Sequence, residues 1–303
     1  MRKEAIKKQL FAAARAGDER VLESMFRAGV PVNLMDDSGE NSDTPLMIAC
    51  RGSHTTAIRV CLEYGAKNDP HPDFGETALH VAAETGAHEA VSIILAAAAQ
   101  SDADHMISNL TNEEKKTPLH LAAARGYRDV ADLLLAHGAS LTNKDELDQT
   151  ALHVCSAQGH TECLATLLDQ GGDNLLEYPD LGGNTALHHA AQNGHRKCLQ
   201  LLLETAADAM VRNTGGQTAY KLAMDAGHQS LAKLLLEYMK DFKATSTSRA
   251  SASRGITSNG GRRNSLSVDV SDTGVDEDGV EAIAALGYSG SGGGGGGRRG
   301  GGG

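Results

Sequence analysis

An all-α solenoid of short paired helices, followed by a disordered C-terminal tail, is the fold class this sequence predicts. Three observations carry that reading. A heptapeptide recurs as TPLMIAC from Thr44, TALHVAA from Thr77, TPLHLAA from Thr117, TALHVCS from Thr150, TALHHAA from Thr185 and TAYKLAM from Thr218, at intervals of 33, 40, 33, 35 and 33 residues. Aromatic residues are 3% of the 303, against 40% hydrophobic residues, so the core is built from Ala, Leu and Val. Composition then changes near Ala244: residues 244–303 hold 17 of the 35 glycines and balance six arginines with six acidic residues, which leaves the whole net charge of -11 on residues 1–243.

The first unit, near residue 5, reads LFAAARAGDERVLESMFRAGVPVN from Leu10 and keeps Ala13, Ala14 and Gly17 without the Thr-Pro-Leu-His opening. Lys3, Lys7 and Lys8 give it the polar outer face that the end of a stack requires. Later units begin near residues 39, 72, 112, 145, 180 and 213. In each, Thr is placed to cap a helix and Pro, where present, sits where a missing N–H does no harm. A short helix with small alanine faces follows, and Gly126, Gly159, Gly194 and Gly227 stand where its end needs φ > 0. Val130, Leu133, Leu134 and Leu135 then give the second helix of the fourth unit an apolar stripe, which only a neighbouring unit can cover. Two departures stand out. Ser53 takes the glycine position after Gly52, which predicts a turn shifted by one residue. Ala96 to Ala99 has no closing glycine, which predicts a longer second helix running into an inserted loop, Gln100 to Asn109.

These units resemble the ankyrin repeat, whose signature is T-P-L-H-x-A-A, then G-H, then a V-x-x-L-L-L helix closed by G-A at a 33-residue period. The resemblance covers about residues 5–240 and gives seven repeats. It implies an ankyrin-repeat α-solenoid of paired antiparallel helices with hairpin loops over residues 1–243. It also implies that His80, His120, His153 and His188 bridge the opening Thr to neighbouring backbone, with Met47 and Tyr220 at outer positions that need the bridge less. Function is expected to be non-catalytic binding of a protein partner, by a scaffold or adaptor, on a concave face of hairpin tips and first-helix ends. Carried over by alignment, that face takes Asp73, Phe74, Glu76 and Glu84 from the third repeat and Glu113, Glu114, Lys116 and Arg125 from the fourth. Asp145, Glu146 and Gln158 come from the fifth, Asp180, Asn184, Gln192 and Asn193 from the sixth, and Asn213 and Asp225 from the last. Phe74, one of four phenylalanines, is expected to be an exposed anchor. The acidic surplus favours a neutral or basic partner surface.

Other chemistries find no support. H-T-E-C (His160, Cys163) and H-R-K-C (His195, Cys198) look like two halves of a zinc site. Equivalent positions in neighbouring repeats lie roughly 8–10 Å apart, too far for ligands that must converge within about 2.3 Å of one ion. Cys50, Cys61, Cys155, Cys163 and Cys198 occupy small apolar positions and are expected to be buried thiols. No nucleophile–base pair, P-loop or dinucleotide glycine motif is present, so neither an enzyme nor a cofactor or metal is expected. The negative charge argues against nucleic acid. The longest apolar run, Ile93 to Ala99, is too short to span a bilayer, and the opening MRKEAIKKQL is not a secretory signal. An odd number of cysteines fits a reducing compartment, so the expected localisation is intracellular, cytoplasmic and/or nuclear.

Residues 244–303 carry too little apolar surface to offset chain entropy and are expected to be disordered. Arg262 to Leu266, R-R-N-S-L, matches sites of basophilic kinases and marks Ser265 for phosphorylation. An alternative expectation follows, a regulatory or targeting subunit whose tail controls access to the repeat surface.

Overall fold

The structure, a computed structural model, describes residues 2–36, 42–100 and 107–240. Helical pairs follow one another along the chain: α1 (Arg2–Ala16) with α2 (Glu19–Arg27), α3 (Pro45–Arg51) with α4 (Thr55–Glu63), α5 (Ala78–Thr85) with α6 (His88–Ala99), and α7 (Pro118–Arg125) with α8 (Arg128–Ala136). Then come α9 (Ala151–Gln158) with α10 (Thr161–Asp169), α11 (Ala186–Gln192) with α12 (Arg196–Glu204), and α13 (Ala219–Asp225) with α14 over 229–240. No strand occurs among the described residues. First helices pack on first helices in the order α1, α3, α5, α7, α9, α11, α13, and second helices on second helices from α2 to α12. Residues 244–303, with Ser265, lie outside the described residues, as do 101–106 of the inserted loop.

Alanine is what lets the first helices approach. Ala49, Ala82, Ala83, Ala122, Ala123, Ala190 and Ala191 are all fully buried, and Cys50 and Cys155 fill the same small positions. The second helices supply the larger apolar groups, Ile58, Val91, Leu95, Leu134, Leu164, Leu167 and Leu199 among them. All five cysteines are free and buried. Burial pushes the Cys61 thiol up to about 12, and burial likewise raises Cys50 and Cys198.

Each first helix starts at a threonine cap. Thr77, Thr117, Thr150 and Thr185 form reciprocal boxes with the histidine three residues on. The Nδ1 of His80 accepts from the Thr77 N–H at 3.2 Å, and its Nε2–H donates to the Lys116 carbonyl of the next repeat at 3.0 Å. His120 reaches the Gln149 carbonyl at 3.0 Å, His153 that of Tyr178 at 2.9 Å and His188 that of Gln217 at 3.2 Å. This network assigns the neutral Nε2–H tautomer, and burial accordingly lowers His80 and His153 to about 4. Burial also lowers His120 and His188.

First helices end on left-handed residues: Gly86, Gly126 and Gly159 have φ of 73°, 74° and 81°. The expected shift at Ser53 does not occur. Ser53 itself takes φ 54°, and its N–H reaches Cys50 O while His54 N–H reaches Ala49 O, the same offsets as at Gly126 and Tyr127. The longer second helix is present: α6 has 12 residues where α4, α8, α10 and α12 have nine. The two extra residues of the 35-residue interval are taken up by a 3-10 turn at Gly172–Leu175, followed by Leu176, and both leucines are buried.

Candidate functional site

Between one helical pair and the next the chain forms a hairpin. Asn112 N–H bonds Lys116 O, Asp145 N–H bonds Gln149 O, Asp180 N–H bonds Asn184 O and Asn213 N–H bonds Gln217 O, all at 2.9–3.0 Å. The side chain at the base of each turn closes it as well, because an Asx oxygen mimics the backbone acceptor: Asn112 accepts from Lys116 N–H, Asp145 from Leu147 and Gln149, Asp180 from Asn184 and Asn213 from Gln217. The third repeat has His71 at this base and a hairpin one residue longer, running to Glu76. The tips then join to each other. Glu113 N–H donates to Phe74 O, Glu146 to Glu114 O, Leu181 to Leu147 O and Thr214 to Gly182 O, each at 2.9–3.1 Å.

Two troughs open beside these tips and meet at Glu114. One, of about 340 Å³, is lined by Asp43, Met47 and Arg51 of the second repeat, His71, Phe74, Glu76 and Glu84 of the third, and Asn112, Glu113 and Glu114 of the fourth. The other, of about 370 Å³, is lined by Glu114, Lys116, His120, Leu121 and Ala124 of the fourth repeat and Asp145, Glu146, Leu147, Gln149, Val154 and Gln158 of the fifth. Phe74 is 44% exposed and stacks on His71 with ring centroids 5.1 Å apart. Leu147 and Leu181 are 56% and 68% exposed on following tips.

The electrostatics of the first trough centre on Arg51, which donates to Asp43 at 2.7 Å and lies 3.7 Å from Glu76. Burial works against the Arg51 cation, yet the Asp43 hydrogen bond and the surrounding carboxylates leave it raised. Burial raises the Glu76 carboxyl; Arg51 opposes that, while Glu84 and Asp43 add to it. Arg125 bridges to Glu84 at 2.9 Å, and Lys116 to Glu114 at 2.5 Å.

The residues picked from the sequence separate into two groups. The troughs gather Phe74, Glu76, Glu84, Glu113, Glu114, Lys116, Glu146 and Gln158, with Asp73 exposed beside Phe74 and Arg125 reaching in through Glu84. The others close their own repeat, join neighbouring repeats or lie apart from the troughs. Asp145 lines the second trough as well but is 4% exposed, its carboxylate turned onto its own hairpin. Asp180 accepts from Asn184 N–H and from His189 at 2.8 Å; burial alone would raise it, but these bonds leave it lowered. Asn184 bonds Asn213, and Asn193 donates to Ala157 O at 3.0 Å. Gln192 is exposed beyond the troughs, and Asp225 pairs with Lys221 at 2.7 Å. Missed by the alignment were Asp43, Arg51 and Leu147. Asp43 precedes Thr44 and Arg51 follows Ala49-Cys50, so the rule applied to later repeats would have found both.

His160 and His195 do not turn toward Cys163 and Cys198 as metal ligands. Their rings bond Ala124 O and Ala157 O of the preceding repeats at 3.0 Å, while both thiols sit in the core. Among the described residues no three metal-ligating side chains converge, and no helix is long and apolar enough to cross a membrane.

Comparison with known proteins agrees with this architecture. A family described as ankyrin repeats in three copies matches residues 10–106, 95–178 and 173–246. The crystal structure of the human ASB11 ankyrin repeat domain superposes with a TM-score of 0.65 at 27% identity, covering 76% of this chain and 96% of that one. A Caenorhabditis elegans homolog of transient receptor potential cation channel subfamily A member 1 is 26% identical over 160 residues, 53% of this chain and 12% of that protein. The human channel subunit is 33% identical over 113 residues, 37% of this chain and 10% of that protein. The chain thus spans about a tenth of the length of these channel relatives.

Proposed function

This chain belongs to the ankyrin-repeat family, and from that premise we propose that it is a scaffold or adaptor that binds a protein partner on the concave face of its repeats. The family generally serves as a non-catalytic interaction module. One observation carries the reading: adjoining troughs of about 340 and 370 Å³ run beside hairpin tips that expose Phe74 and Leu147. Large apolar side chains beside a concave surface are what an interface core requires, because their desolvation supplies most of the binding free energy. The ASB11 likeness supports the scaffold, and the channel relatives contribute the repeat array alone. Free thiols buried throughout the core fit an intracellular location.

Affinity capture on the full chain tests this, with Phe74→Ala/Leu147→Asp as the paired bait. Both residues are exposed, so the fold persists. Proteins retained by the parent and lost by the variant are expected; identical recovery on both baits would refute a partner at these troughs. The second reading, in which Ser265 and residues 244–303 govern access, rests on the R-R-N-S-L motif. A chain ending at residue 243 separates the two. A plain scaffold keeps its partner affinity on truncation, and a self-regulated one gains or loses it.

A further inference from the structure

Successive hairpins share one backbone pattern while their side chains change. The residue accepting the bond from the next tip is Phe74, then Glu114, Leu147 and Gly182; the residue before it is Asp73, then Glu113, Glu146 and Leu181. The third, fourth and fifth repeats therefore hold an exposed carboxylate at the same point of each tip, and the sixth and last do not. Glu76 and Glu84 form a second rank behind them in the first trough. The floor is less polar: Met47 lies in the first trough, and Leu121, Ala124 and Val154 in the second.

Spacing then selects the ligand's conformation. Packed helices stand roughly 8–10 Å apart, and a polyproline II chain advances about 3.1 Å per residue with three residues per turn, so every third side chain faces the same way. Residues i, i+3 and i+6 of a ligand in that conformation thus come level with Asp73, Glu113 and Glu146 on one face. The groove is too continuous to hold a lone ion, and its rim repels anions, nucleic acid included. We propose that the groove across the second to fifth repeats takes a protein segment in the polyproline II conformation with Lys or Arg at every third residue, and with an apolar side chain between cations lying against Phe74 or Leu147. This inference rests on the protein-binding reading above and specifies the partner's chemistry. Charge complementarity chooses the cation, and the exposed ring and leucine choose the apolar anchor. The raised Glu76 carboxyl agrees in direction, since a cation in the trough would favour its ionised form.

Fluorescence anisotropy with the full chain tests it, using labelled peptides of about 12 residues, enough to cross three repeats. One peptide carries Arg at every third position with Leu between; the second has the same composition with its arginines contiguous; the third and fourth replace Arg by Gln and by Glu. The spaced Arg peptide should bind at least about tenfold tighter than the Gln peptide, and tighter than the contiguous one, with affinity falling as salt rises. Glu113→Gln/Glu146→Gln should weaken it about tenfold, whereas Asp129→Asn/Glu162→Gln, exposed on α8 and α10, should not. Equal binding of the Arg and Gln peptides, or of the spaced and contiguous ones, overturns the proposal, as does failure of all four to bind. If Phe74→Ala weakens Arg and Gln peptides alike while the charge variants change nothing, the groove binds protein of another chemistry: this inference falls and the broader reading stands.

Discussion

Glycine at the end of a first helix satisfies two demands at once, and Ser53 separates them. The left-handed backbone is the first. Space is the second, because the residue opening the next repeat's second helix lays its ring over that glycine. A Cβ at Gly17 would stand 2.7 Å from His54, at Gly86 2.7 Å from Tyr127, at Gly126 2.5 Å from His160, at Gly159 2.4 Å from His195 and at Gly194 2.7 Å from His228. Above Ser53 the corresponding residue is Ala87, which has no ring. A serine therefore fits there, with backbone strain remaining. Ser53→Gly should stabilise the protein by about 1 kcal/mol in urea unfolding, by removing a left-handed non-glycine residue. Gly126→Ala should destabilise it by at least about 2 kcal/mol, since the strain is joined by an overpacked contact with His160. Equal effects of alanine at Gly126 and at Gly227, where a Cβ meets nothing within 4 Å, would show that the ring contact adds nothing.

At the scale of the helix, the histidine boxes tie each start to the following repeat, and they tie stability to pH. In the unfolded chain a histidine takes up its proton near pH 6.5. Folded, His80 and His153 resist until about 4. The unfolded state binds the extra proton in that window, so stability is full above 6.5 and falls as pH drops toward 4, by about 1.4 kcal/mol per pH unit for each such histidine. His120 and His188, lowered in the same direction, add to the slope. Urea midpoints at pH 7.5, 6.0 and 5.0 measure it. His80→Gln/His153→Gln keeps a cap partner without the titration; it should be less stable at pH 7.5 and shallower in its acid response. An unchanged slope would assign acid sensitivity to other groups.

Across the whole molecule, the two kinds of histidine bridge are distributed unevenly. His54 binds Arg15 O at 2.9 Å, joining the first two repeats, where Arg15 also pairs with Asp36. From the third repeat onward His80, His120, His153 and His188 bridge forward. Between the second and third repeats neither bridge exists, because Met47 and Ala87 occupy both positions. Met47 is not an outer position in the sense the alignment suggested: a repeat follows it. His71 bonds Ser42 O at 3.2 Å across this seam and Arg51 lies 3.7 Å from Glu76, so against a seam holding both bridges the net deficit is one hydrogen bond, about 1 kcal/mol. In a stack whose stability is a sum of nearest-neighbour terms, the weakest interface opens first. Hydrogen exchange should thus show α1 to α4 opening as one unit before α5 to α12. Met47→His/Ser53→Gly/Ala87→His installs both bridges and should slow that exchange. If exchange in α1 to α4 is unchanged by the triple variant, the seam is not where the stack opens.

How much of this was legible in the sequence follows from the range of the forces involved. Thr-Pro-Leu-His, Gly and the leucine stripe act within one repeat, through caps, turns and helical periodicity, so they determine the helices, most of their ends and the family. Phe74 was identified by the same local logic, as an aromatic where no core requires one. Asp145, Asp180, Asn184 and Asn213 look like surface polar groups in one dimension, and only the closed hairpins show them turned onto their own backbone or a neighbour. Ser53 is an anomaly in sequence and a consequence of Ala87 in space. The troughs, their shared wall at Glu114 and the seam at Met47 depend on contacts some 30 to 40 residues apart in the chain, set by how one repeat packs on the next. A repeat's own sequence specifies its helices; what faces the solvent between repeats is decided by the stack.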